Sequence, residues 1–301
     1  MLTEELMREV RRLQVRTRRR VEGLFAGEYH TAFKGRGIEF ADVREYEPGD
    51  DVRAIDWNVT ARAGHPFVKR FVEERELSVV LAVDLSGSGE FSSAPGAGAR
   101  LKRRVAIEAA AVLALSAGAN HDRVGLCLFT SDVELFLPPS KGRSNSLRVL
   151  RELLDFEPRA RGTDIARTAL RLGQVLRRRG TVFLISDFLA PGGAKSFESP
   201  LRLLARRQEV IALQIVDPRE RELPRVGLVE VVDAETGERR LVDTSSRRVR
   251  EDYARAAMAR DTELGALFSR AKIDRVELST ARPFVPDLAR YFQLRERRRT
   301  A

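Results

Sequence analysis

This chain of 301 residues has little that suits redox or imidazole chemistry. Its one cysteine, Cys127, rules out a disulfide within the chain, and its place inside the apolar run from Val124 to Phe129 points to core packing. Only three histidines occur, His30, His65 and His121, all in loop-like contexts far in sequence from the candidate site described below, so no Ser-His-Asp mechanism is expected. No uncharged run approaches the roughly 18 residues that a membrane span requires. The longest lies near Ala109 to Asn120, and the start of the chain carries Glu4 and Glu5 without an apolar signal core. A soluble, cytoplasmic protein is the expectation. No Gly-Lys-Ser/Thr phosphate loop and no G-x-S-x-G nucleophile elbow is present.

Lysine is scarce too, since all but six of the 54 basic residues are arginine. The net charge of +10 raises nucleic-acid binding as a reading. The arginines, however, are scattered through every predicted helix with acids interleaved, and no aromatic-rich basic motif accompanies them. A solvated basic surface is the preferred reading, and nucleic-acid binding stays as an alternative.

What the chain does contain, with 43% hydrophobic residues, is a set of apolar strands that end in oxygen-bearing side chains. Ser78 to Val83 is a charge-free run rich in Val and Leu, as expected of a strand buried on both faces of a parallel sheet. It ends in Asp84-Leu85-Ser86-Gly87-Ser88, a turn that lets Asp84, Ser86 and Ser88 converge. Open α/β sheets bind their ligands at such carboxyl ends. Arg161-Gly162-Thr163-Asp164 opens a helix with Ile165, Ala169, Leu172 and Val175 on one face, which puts Thr163 near its N-terminus. Thr181 to Ile185 is a second buried strand, ending in Ser186-Asp187. Asp84, Ser86, Ser88, Thr163 and Asp187 supply only oxygen, which selects a hard cation, Mg²⁺ or Mn²⁺, over zinc.

These three segments, D-L-S-G-S, G-T-D and a strand ending S-D, resemble the metal-ion-dependent adhesion site of von Willebrand factor A domains. The resemblance implies that the serines and the threonine contact the metal, that the aspartates often act through waters, and that a partner's carboxylate completes the shell. The chain departs from the pattern with Arg161 where a second Gly is usual and Phe188 where Gly commonly follows the last Asp.

Alternation of predicted strands and helices from about residue 77 to 301 implies an α/β domain with a doubly wound, mostly parallel sheet. Residues 1–20 form a predicted amphipathic helix, with Leu2, Leu6, Val10 and Leu13 on one stripe. It is expected to pack on its own domain, with contact to a membrane surface as the alternative. Residues 21–76 read as a small β-rich subdomain. There Asp50, Asp51 and Asp56 are either turn formers and ion-pair partners or a second acidic ion site, and Trp57, the only tryptophan, is expected to anchor the subdomain on the main core.

The same region carries G-R-G-I-E-F from Gly35, E-Y-E-P-G-D-D-V-R-A-I-D-W-N from Glu45 and V-K-R-F-V-E-E-R from Val68. These resemble the signature of the bacterial family called domain of unknown function 58. The resemblance implies a partner class, since relatives are commonly encoded with MoxR-type AAA+ ATPases and are thought to act as adaptors in protein-complex maturation. The expected function is therefore a non-enzymatic Mg²⁺-dependent binding module that grips an acidic residue of a partner. A metal-dependent phosphohydrolase with Asp84 as nucleophile is the alternative, although Ser86 stands where its general acid is needed and no lysine partner is evident in the sequence.

Overall fold

The computed structural model describes Tyr29 and residues 39–72, 77–91 and 101–300. The expected helix over residues 1–20, His30 and residues 92–99 lie outside the described residues. Strand β1 (Glu39–Glu45) pairs antiparallel with β2 (Phe67–Val72), and between them come a single 3-10 turn (Val52–Ala54) and helix α1 (Trp57–Ala63). The main unit then runs β3 (Ser78–Asp84), α2 (Lys102–Ala119), β4 (Arg123–Phe129), β5 (Val133–Ser140), α3 (Arg143–Asp155), α4 (Ile165–Val175), β6 (Thr181–Ser186), α5 (Ala194–Arg207) and β7 (Glu209–Val216). A hairpin of β8 (Leu228–Val232) and β9 (Arg239–Asp243) follows, then α6 (Arg247–Ala271), β10 (Asp274–Ser279) and α7 (Val285–Thr300).

Six strands form one sheet in the order β10-β7-β6-β3-β4-β5, parallel except for the edge strand β5. From β3 the chain moves to β4 on one side, and from β6 it moves to β7 on the other. The sheet therefore reverses direction between β3 and β6, and this is where a doubly wound sheet leaves a crevice for a ligand. The hairpin β8–β9 pairs only with itself, so the sheet is not continued by it. None of the described helices is long and apolar enough to cross a membrane.

Burial follows the strand period of two. Val79, Leu81 and Val83 pack with Val105, Ala109 and Leu113 of α2 and with Leu288 and Phe292 of α7. Val80 and Ala82 turn to the other layer, against Ile165 and Leu172 of α4, Leu201 and Leu204 of α5, and Leu267 and Phe268 of α6. The outcome is a sheet covered by helices on both faces, which is why its central strands are apolar over most of their length and carry polar residues chiefly at their ends. Cys127 is buried in the second layer, as its sequence context predicts. The edge strand β5 is polar on part of its surface and carries Pro138 and Pro139.

One expectation fails in the small N-terminal unit. Trp57 is 69% exposed, so it does not anchor this unit on the core. The Asp56 carboxylate caps α1 by accepting from the N–H groups of Asn58 and Val59, which fixes the start of a seven-residue helix that buries none of its residues. With an apolar ring in water, Trp57 becomes a candidate contact for another protein. Its emission should therefore lie at the red, solvent-exposed end and be quenched freely by iodide in the folded protein. Blue-shifted emission shielded from iodide would contradict this placement.

Candidate functional site

Asp84 is the last residue of β3, and its carboxylate is used on both sides. Oδ1 accepts from the Ser86 N–H at 3.0 Å, which folds the turn, and Oδ2 accepts from the Ser186 hydroxyl at 2.7 Å, which ties β3 to β6. Ser86 Oγ and Ser88 Oγ lie 3.1 Å apart. The Gly87 N–H donates to the Arg161 carbonyl at 2.8 Å, so the turn after β3 is joined to the loop that carries Thr163. Thr163 itself is buried just ahead of Asp164, whose carboxylate caps α4 through the Arg167 N–H. Asp187 follows β6 and accepts from the Leu189 N–H at 2.9 Å.

Asp84, Ser86, Ser88 and Asp187 line one small cavity of about 10 Å³, room for about one water-sized occupant. Thr163 does not line this cavity; its loop is joined to the turn after β3 by the Gly87–Arg161 bond, and its hydroxyl donates to Glu235. Four of the five expected residues thus share the cavity at the carboxyl ends of β3 and β6, together with Lys102 and Arg103. The second acidic group does not assemble in this way. Asp50 accepts from the Glu47 N–H and pairs with Arg44 at 2.6 Å, Asp51 accepts from the Arg53 N–H, and Asp56 caps α1. Each serves its own turn, and among the described residues no three His, Cys, Asp or Glu side chains cluster as a metal site.

The structure adds three charged residues that the sequence did not single out. Lys102, at the start of α2 and 2% exposed, donates to Asp187 Oδ2 at 2.6 Å and also to Glu220. Burial alone would lower its pKa, but the carboxylates of Asp187 and Glu220 outweigh it and hold the ammonium charged. Glu220 is pushed up by burial, against the opposing pull of Lys102. Glu235, at the tip of the β8–β9 hairpin, accepts from the Thr163 hydroxyl at 2.9 Å, and burial raises its pKa as well. A wide register between sequence positions explains why these partners were not foreseen, since Glu235 lies 72 residues beyond Thr163 and Glu220 118 residues beyond Lys102.

Among the described residues, no cation forms an ion pair with Asp84, although Lys102 and Arg103 line the same cavity. Burial, reinforced by the nearby Asp187 charge, pushes its pKa up to about 7 in the absence of metal. A carboxyl raised above its unfolded value of 3.8 costs nothing while protonated in both states, then loses stability as pH climbs through the interval between the two values. In chelator, wild type should thus lose up to about 4 kcal/mol relative to Asp84→Asn between about pH 4 and pH 7, with no further change above. Urea unfolding of both proteins across that range reads the difference, and a pH-independent difference would refute it.

Phe188 explains how the departure from Gly after Asp187 is accommodated. Its backbone has φ +60°, a left-handed conformation that favours glycine. Its ring, however, is buried edge-on against Phe268 at 5.1 Å and near Phe197 at 6.3 Å. Ring burial outweighs the strain of about 1–3 kcal/mol for a non-glycine residue there. Phe188→Gly should therefore destabilise the fold by roughly 2–4 kcal/mol in denaturant unfolding, although it relaxes the backbone. A more stable variant would show that the strain dominates.

An uncharacterized protein of Mycobacterium tuberculosis is 33% identical to this chain over 295 residues, covering 97% of this chain and 90% of that protein. An uncharacterized protein of Mycobacterium avium is 35% identical over 165 residues, covering 54% of this chain and 94% of that protein. Among solved structures, the conserved hypothetical protein BatB from Bacteroides thetaiotaomicron is 16% identical, with a TM-score of 0.43, covering 73% of this chain and 99% of that one. An aerotolerance-related membrane protein from Bacteroides fragilis is also 16% identical, with a TM-score of 0.41, covering 63% of this chain and 99% of that one. The family described as protein of unknown function DUF58 matches residues 42–263, a span that takes in most of both the two-stranded unit and the six-stranded sheet. With that match and relatives similar over nearly its whole length, the chain belongs to the DUF58 family.

Proposed function

We propose that this chain is a non-enzymatic, Mg²⁺-dependent protein-binding module, built on a von Willebrand factor A-like domain, that acts as a cytoplasmic adaptor beside a MoxR-type AAA+ ATPase in protein-complex maturation. One observation carries the reading: the carboxylates of Asp84 and Asp187 and the hydroxyls of Ser86 and Ser88 line one cavity at the point where the strand order reverses, with the Thr163 loop joined to it by the Gly87–Arg161 bond. Their chemistry fits a hard divalent cation, because every donor is oxygen. Electrostatics fits as well, since no cation among the described residues forms an ion pair with Asp84 and a divalent charge nearby would favour its ionised form.

Asp84, Ser86, Ser88, Thr163 and Asp187 would hold Mg²⁺, with Mn²⁺ as a substitute. An ion there supplies attraction for a partner's carboxylate. The chain's own contribution is orientation. Asp84 is locked by Ser186 and by the Ser86 N–H, and Asp187 is locked by Lys102 and the Leu189 N–H. Lys102 also offsets part of the negative charge, which favours a moderate, reversible affinity over a tight structural one.

The phosphohydrolase reading gains one observation, because Lys102 supplies the buried lysine that the sequence did not reveal. One feature weighs against it: Ser86 still stands in place of a general acid. Turnover of a general phosphatase substrate that disappears in Asp84→Asn would favour it over the adaptor reading.

Mg²⁺ or Mn²⁺ at about 100 times its dissociation constant should stabilise the folded protein by about 2.7 kcal/mol. The gain should vanish in Ser86→Ala/Ser88→Ala, which removes two neutral ligands and leaves Gly87 in the turn. Thermal unfolding with metal and with chelator reads both, and equal shifts in the two proteins would reject the site. A purified MoxR-type ATPase should then be retained by wild type in Mg²⁺ and lost in chelator or in the double variant.

A further inference from the structure

The β8–β9 hairpin is tied down at its base and at its tip. At the base, buried Thr244 donates its hydroxyl to the Gly227 carbonyl at 2.6 Å and accepts from the Val226 N–H, and Arg250 donates to the Thr244 carbonyl at 2.6 Å. Gly227 at the base has φ +88°, a conformation that glycine adopts without strain. Between base and tip, the strands expose Leu228, Val231, Val232 and Leu241, and beneath them opens a cavity of about 650 Å³ that reaches Ser88 and Asp187.

The tip is rigid and closely seated. Asp233 accepts from the N–H groups of Glu235 and Thr236 at 3.0 and 2.8 Å, which fixes the turn and aims the Glu235 side chain. Ala234 presses on the turn after β3 so closely that a Cβ added at Gly87 would lie 2.4 Å from the Ala234 carbonyl oxygen. Glu235 then takes the Thr163 hydroxyl at 2.9 Å, and among the described residues no cation contacts its carboxylate. A carboxylate that is partly buried, unpaired and delivered to a hydroxyl of a cation site has a plain chemical reason to be there if a cation shares it.

We infer that Glu235 is an internal occupant of the metal site, its carboxylate filling the coordination position that a partner's acidic residue takes over when the hairpin lifts. The inference rests on the metal-site reading proposed above. It adds a residue to the site and a condition to binding: a partner must present a carboxylate that displaces Glu235, and the cavity under the hairpin gives its segment room to enter. Proteins with scattered acidic surfaces would then be refused, because an internal carboxylate competes at high effective concentration.

Mn²⁺ serves as the probe, with wild type, Glu235→Ala and the isosteric Glu235→Gln compared in parallel. Water-proton relaxation counts the exchangeable waters on bound Mn²⁺, and hydrogen exchange follows the amides of residues 233–237. Loss of the internal carboxylate should add about one exchangeable water per bound ion and weaken Mn²⁺ binding by about tenfold, the equivalent of 1.4 kcal/mol. In wild type, Mn²⁺ should also slow exchange at the hairpin tip, and it should not do so in either variant. Mn²⁺ bound with equal water counts and equal tip protection in all three proteins would overturn the inference and leave the site standing. No Mn²⁺ binding by any of them would overturn the site itself and the inference with it.

Discussion

A single ammonium group, that of Lys102, sets the terms for the carboxyl edge of the sheet. It is buried between Asp187 and Glu220, so it joins the start of α2 to the end of β6 and to the turn after β7. Breaking such a pair by removing one partner strands charge in a low-dielectric site, at a typical cost of about 3–5 kcal/mol. The arrangement therefore resists drift. Asp187 pairs with Lys102 directly, whereas Asp84 at the end of β3 does not, and burial together with the nearby Asp187 charge raises the Asp84 pKa.

Much of the fold was legible because buried parallel strands leave few alternatives for their sequences. Ser78 to Val83 and Thr181 to Ile185 carry no charge and are apolar after their first residue, and each is covered by helices on both faces. The oxygen-rich ends of those strands were legible for the same reason, since polar groups directly after such runs have to fall at the sheet's carboxyl edge. Lys102, Glu220 and Glu235 were not legible. Each is one charge among many on an arginine-rich chain, and only the folding of distant segments onto one edge distinguishes it. Trp57 misled for another reason. An aromatic residue inside a charged segment invites an anchoring role, but the cap supplied by Asp56 turns its short helix to solvent.

Phe188 and Arg161, the two departures from the resembled pattern, turn out differently in kind. Phe188 adopts a left-handed backbone that favours glycine and packs its ring against Phe268. Arg161 contributes its carbonyl to the Gly87 N–H, a role indifferent to its side chain.

Strand β5 closes one side of the sheet with consequences for assembly. It runs antiparallel at the outer edge, and Pro138 and Pro139 have no N–H to offer a further strand. A strand added at that border would lack a donor near the C-terminal end of β5, which shortens the ladder a visiting peptide or a second copy could form there. Recognition is thereby channelled away from main-chain pairing along this border and toward side chains, where specificity can be written residue by residue.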